Sequence, residues 1–215
     1  MSELSSITLV SSEGENYEFE NVQLEFLENQ IQNKFTEKND RTLRDILEKS
    51  HYRELKNKRQ FSAYQLGSPI GKFLEQLKSE SDPFYSSFLN AYGDLTYCTF
   101  RITQPDRLIM QKGLYIYTVN NQIKYIGRCR DSFKKRINQG YGKIHPTNCY
   151  KHGQSTNCHL NSLIAENPEN VAFYVHTLTN DEVIKNTERE LIQEYKLKQE
   201  ELWNIQLNLR RSRKK

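Results

Sequence analysis

Residues 113–127 read GLYIYTVNNQIKYIG, two apolar, aromatic-rich runs on either side of an Asn-Asn pair. Apolar alternation bounded by turn residues predicts a β-hairpin. Its register decides whether Tyr115 and Tyr125 can share a site. A three-residue loop, Val119-Asn120-Asn121, sets the two tyrosines opposite each other on one face, with an Asn in the left-handed region and a bulge. A two-residue loop, Asn120-Asn121, sends them to opposite faces, because a one-residue slip reverses every side chain. The sequence leaves both open. Aromatic residues are also good strand formers, so the hairpin by itself reads first as core.

Downstream, SFKKRINQ (132–139) reads as a short basic helix, with Phe133 and Ile137 facing inward. Residues 140–157 form a polar run with no apolar period, and irregular chain of that length inside a domain marks a functional loop. A short helix at 159–166, a strand at 171–178 and a helix from Asn180 to at least Tyr195 follow. Upstream, residues 6–20 suggest a short hairpin. The spacing of Val22, Phe26, Leu27 and Ile31 predicts a helix, and Leu43, Ile46 and Leu47 predict another after Asp40. Ser68 as N-cap and Pro69 at the first position open a third helix, with Ile70, Phe73, Leu74 and Leu77 on its apolar face. Pro83 opens a short fourth pattern, residues 95–102 read as a strand, and 104–107 as a linker. The terminal RRSRKK (210–215) is a block of like charge.

The 215 residues suffice for one large domain or two small ones, and two are expected. No apolar run approaches the roughly 18 residues of a membrane span, and the start lacks a signal-peptide pattern. The expected location is therefore cytoplasmic. Four cysteines, Cys98, Cys129, Cys149 and Cys158, read as reduced thiols. Net charge is +4, unevenly spread. Residues 1–105 hold 12 Lys/Arg against 16 Asp/Glu (−4), and residues 106–215 hold 19 against 11 (+8). The second half is where an anionic partner belongs.

Gly113-Leu114-Tyr115, then Tyr125-Ile126-Gly127, Arg136 on the next helix, Glu188 on a later helix and Asn204 beyond it resemble the GIY-YIG nuclease family, over residues 110–207. Each triplet is weak alone, and five elements in order make the signal. The resemblance implies a three-stranded antiparallel sheet flanked by helices and metal-dependent hydrolysis of DNA. Such chemistry needs a metal to polarise the phosphoryl oxygen, a group to activate water and cations for the developing charge. By the resemblance, Glu188 is the metal ligand for one Mg²⁺, whose hard, water-rich shell suits a single carboxylate. Arg136 is the phosphate fork, with Lys135 the competing choice. Tyr115 is the water-activating base or its hydrogen-bonding partner, Tyr125 orients nucleophile or phosphate, and Asn204 ties the chain after the last helix to the site. Many relatives carry a His or Tyr one helical turn after the Arg. That position is Gly140 here, so Tyr141 is the expected replacement and His145 a weaker one.

The expected fold is thus α+β: a mainly helical accessory domain with a short hairpin (1–105, for recognition or dimerisation), a GIY-YIG domain with a three-stranded sheet (106–207) and a basic tail (208–215). The expected partner is double-stranded DNA, contacted by Arg128, Lys134, Lys135, Lys143, His145, Asn148, Lys151, Gln154 and Asn157. No membrane partner is expected, and a homodimer is one option for the accessory domain. The function reads as a restriction endonuclease, with a homing nuclease or a non-catalytic DNA-binding module as alternatives. Cys149, His152, Cys158 and His159, near Cys129, lack the paired spacing of a structural zinc site.

Overall fold

A computed structural model describes residues 5–11, 13–198 and 200–204; the basic tail at 208–215 lies outside them. Seven strands are present among the described residues: β1 Ser6–Val10, β2 Asn16–Asn21, β3 Leu24–Ile31, β4 Tyr97–Ile102, β5 Gly113–Val119, β6 Gln122–Cys129 and β7 Val171–Thr177. The helices are α1 Leu43–Leu47, α2 Leu55–Lys58, α3 Ala63–Gly67, α4 Ile70–Ser79, α5 Asp106–Ile109, α6 Phe133–Arg136, α7 Ser155–Ala165 and α8 Asp181–Leu197.

The α+β class stands, but neither the three-stranded sheet nor the mainly helical domain over residues 1–105 does, since four strands fall within residues 6–102. Five strands in the order β1-β2-β7-β5-β6 form one curled antiparallel sheet, and β3 and β4 pair separately. The N-terminal hairpin is therefore part of this sheet: Glu20 pairs with Val175 and Asn21 with Tyr174, joining β2 to β7. The expected helix at 22–31 is strand β3. Its helical spacing competes with a two-residue period at Val22, Leu24 and Phe26, and that period wins because Phe26 packs on Phe100 of β4, ring centroids 5.7 Å apart. Leu27, needed for a helical stripe, is half exposed at 52%.

The chain divides into two compact units that interleave in sequence rather than meeting near residue 105. One comprises residues 1–27, 99–143 and 166–215, and the other residues 28–98 and 144–165. The first is built on the five-stranded sheet. On one sheet face Leu114, Ile116, Ile126 and Tyr174 pack with Ile184, Leu191 and Ile192 of α8. The second unit is helical, with Leu43, Ile46, Tyr52, Phe73, Leu74, Phe88 and Tyr150 at its core. There α1 begins with a capping box between Thr42 and Asp45, and α4 buries Ile70, Phe73, Leu74 and Leu77 as its spacing predicts.

The hairpin register combines two devices. Its turn is the two-residue Asn120-Asn121, both residues left-handed at φ 51° and 62°, as the twist of adjoining strands favours. That turn alone would have split the tyrosines between faces. Tyr117, however, pairs with Tyr125 while Thr118 pairs with Ile123, which leaves Lys124 as a bulge. The extra residue reverses the parity, so Tyr115, Tyr117 and Tyr125 share one face.

Candidate active site

Behind the hairpin, Ser132 caps α6 by accepting from the Lys135 amide. The helix then opens into a π turn over Ile137–Tyr141. In a regular α-helix the side chain one turn after Arg136 belongs to residue 140, which is glycine. The wider π turn brings residue 141 round instead, and the Arg136 guanidinium lies 4.4 Å from the centroid of the Tyr141 ring. Single π turns are a recurrent device for aiming a side chain. Tyr141 is thus brought to the place that the spacing gave to Gly140.

Three groups meet at the Tyr141 hydroxyl. Arg136 donates from a terminal guanidinium nitrogen at 2.5 Å, Tyr115 donates at 3.1 Å, and the Tyr125 hydroxyl lies 3.3 Å away. Tyr115, Tyr125 and Tyr141 are buried. Burial, reinforced by the neighbouring tyrosines, pushes the Tyr115 and Tyr125 phenols well above their ordinary range, so both carry their protons at neutral pH. Burial also opposes the charge on Arg136, and hydrogen bonding to the tyrosine hydroxyls offsets it. Its Nε is buried and makes no hydrogen bond among the described residues. An unpaired buried donor is costly unless an acceptor arrives.

Glu188 lies on α8, which starts at its Asn180 cap. Its carboxylate pairs with Arg128 at 3.0 Å. Leu114 pairs with Arg128 and Tyr115 with Gly127, so Arg128 leaves β6 on the α8 side of the sheet and Tyr125 leaves it on the other. Because β6 is an edge strand, groups on both faces can sense one another around it. The Glu188 charge acts on Tyr125, and Arg136 acts on Glu188. Burial raises the Glu188 carboxyl above the usual range despite Arg128 and Arg136.

Asn204 sits against the backbone. Its side chain accepts from the Ile126 amide at 3.2 Å and donates to the Ile126 carbonyl at 2.7 Å, while the Trp203 amide donates to the carbonyl of the bulged Lys124 at 2.6 Å. The chain after α8 therefore pairs with the free edge of β6. Both Asn204 bonds are made to the main chain of the residue that follows Tyr125.

The remaining expected residues fall in different settings. Lys134 and Lys143 are exposed, and Lys135 pairs with Asp131. His145, Asn148, Lys151, Gln154 and Asn157 belong to the helical unit. His145 accepts from the Thr147 amide and Asn148 from the His145 amide, closing a cap at Pro146–Cys149. Asn157 is buried and donates to Gln154 at 3.0 Å, whereas Lys151 is exposed. The 140–157 run is thus largely ordered by its own caps. Sequence reasoning missed Arg128 as the partner of Glu188; the strand alternation that puts it on the α8 side was available, but the bulge that sets the tyrosine face was not.

Among the described residues no group of three or more His, Cys, Asp or Glu side chains could hold a metal ion. The four cysteines are buried and free. Glu188 is partly accessible, at 20% of its side chain. This donor set fits an ion that keeps most of its water shell, as Mg²⁺ does, in competition with Arg128 for the carboxylate. No helix among the described residues is long and apolar enough to cross a membrane. Comparison with protein-family models, curated proteins and solved structures finds no match.

Proposed function

We propose that the chain is a metal-dependent DNA endonuclease of GIY-YIG type, acting as a restriction enzyme. The observation that carries this reading is the Tyr141 hydroxyl, held by Arg136 and Tyr115 while the Arg136 Nε makes no hydrogen bond among the described residues. A guanidinium so placed can take a phosphate oxygen without leaving the tyrosine. Arg136 and Tyr115 both donate to the Tyr141 oxygen, so Tyr141 is the preferred water-activating group. Tyr115 then serves as its hydrogen-bonding partner, and Tyr125 as a further donor to the nucleophile or phosphate. Bound at Glu188, a magnesium ion would polarise the phosphoryl oxygen. Asn204 holds the β6 edge.

One observation favours a non-catalytic DNA-binding module: Glu188 is already neutralised by Arg128 at 3.0 Å. Isothermal titration with Mg²⁺ and duplex DNA separates the two. An enzyme gains Mg²⁺ binding that Glu188→Gln abolishes, whereas a binding module takes DNA equally with either residue.

A further inference from the structure

The helical unit carries its positive charge in one segment. Over residues 28–98 and 144–165, 12 Lys/Arg face 10 Asp/Glu, a net +2. Residues 41–59 alone hold 7 against 3, a net +4, so the rest of the unit is acidic. Tyr52 and Leu55 anchor this segment in the core, while Arg41, Arg44, His51, Arg53 and Lys56 stay exposed. None of these basic side chains has an ion pair or side-chain hydrogen bond to a carboxylate among the described residues.

Lys49 is the half-buried lysine of this segment. Its ammonium donates to Nε2 of His152 at 3.0 Å, and Nδ1 of His152 lies 2.8 Å from the Tyr52 hydroxyl. Tyr52 donates onward to the Phe88 carbonyl at 3.2 Å. This chain fixes His152 as a neutral ring that accepts from Lys49 and donates to Tyr52. A neutral imidazole is no counterion. The two carboxylates whose charge acts on Lys49 are engaged elsewhere, Asp40 with Lys38 at 2.8 Å and Asp45 with the Thr42 amide at 2.9 Å. Burial, with Lys38 and Arg41 behind it, lowers the Lys49 amine, which registers a local excess of positive charge.

We propose that Arg41, Arg44, Lys49, His51, Arg53 and Lys56 form a binding surface for the phosphate backbone of double-stranded DNA, with phosphate as the missing counterion of Lys49. The choice of DNA as the polyanion rests on the nuclease reading. The expected accessory role of the N-terminal half thus takes a definite form: net acidity over residues 1–105 does not prevent backbone binding when the basic residues are gathered in one segment.

The test uses full-length Glu188→Gln protein in a metal chelator, with fluorescence anisotropy of a labelled duplex across a salt series. Arg53→Gln and Lys56→Gln are each expected to reduce the slope of log K against log salt by about 0.9, and the double variant by about twice that. The charge-matched Lys72→Gln, exposed elsewhere on the same unit, should leave the slope unchanged. Equal losses in all three single variants overturn the surface, as does tighter binding of an RNA duplex of the same sequence, which would make RNA the partner. Cleavage by the wild-type chain with Mg²⁺ is assayed in parallel. Slope changes without cleavage leave this surface standing and remove the nuclease, whereas cleavage without selective slope changes does the reverse.

Discussion

A Cβ built on Gly127 would lie 2.4 Å from Cζ of Tyr115 and 2.5 Å from its hydroxyl oxygen, so the Tyr115 ring lies directly across the backbone of the facing strand. The glycine that ends YIG is required by the tyrosine that ends GLY. Gly127→Ala must push that ring off the Tyr141 hydroxyl, at a cost of about 1–3 kcal/mol for overpacking. Urea denaturation should show the loss in Gly127→Ala, and a much smaller loss when the same change is made in a Tyr115→Ala background. Equal midpoints for wild type and Gly127→Ala would refute the contact.

Tyr141→Phe keeps the ring under Arg136 and removes the oxygen where three groups meet. Buried donors then lose their acceptor, which destabilises by about 1–3 kcal/mol. Tyr125→Phe removes a single weaker contact and should cost less. Thermal unfolding of the two variants side by side checks the order.

Asn204→Ala opens both hydrogen bonds to Ile126. The Ile126 amide should then lose protection in hydrogen exchange, with a stability loss of about 1–3 kcal/mol. The duplex-binding salt slope should not move, since no charge changes.

Glu188 is raised by burial, so the fold favours its protonated form. Stability from this group is greatest below the ordinary carboxylate pKa and falls as pH climbs through the raised value. Glu188→Gln should therefore raise the melting temperature at pH 7, by roughly 0.5–2 kcal/mol in free energy, even though Arg128 loses its partner. A gain in melting temperature, Glu188→Gln minus wild type, that is no larger at pH 7 than at pH 4.5 would contradict this.

His152 shows the opposite sign. Burial, then Lys49 and Lys38, depress its ring to about 4 from an ordinary 6.5. Its contribution to stability is complete above pH 6.5 and is lost as pH falls toward 4. The urea midpoint of wild type minus that of His152→Asn should shrink over that interval; a constant difference would count against the neutral ring.

How much of this was legible in the sequence depends on the kind of signal. Leu43, Ile46 and Leu47, and the α4 stripe from Ile70 to Leu77, were readable because a long-wavelength apolar period and a cap agree. Residues 22–31 were not, because Val22, Phe26 and Leu27 satisfy a helix while Val22, Leu24 and Phe26 satisfy a strand, and only the distant Phe100 decides. The five-stranded sheet was hidden for the same reason: the pairing of Asn21 with Tyr174 leaves no local trace. Within the candidate site, Tyr141 could be suspected only by noticing that Gly140 has no side chain to offer, and the π turn that makes the exchange has no sequence rule. The Lys124 bulge likewise follows from the whole sheet.

The nuclease reading stands or falls on incubating a long unmodified duplex DNA of mixed sequence with the wild-type chain, Glu188→Gln and Tyr141→Phe, each with Mg²⁺ and with chelator. Discrete fragments are expected from wild type with Mg²⁺ alone, and uncut DNA in every other lane. Uncut DNA in the wild-type lane, or fragments that persist in Glu188→Gln, would contradict it.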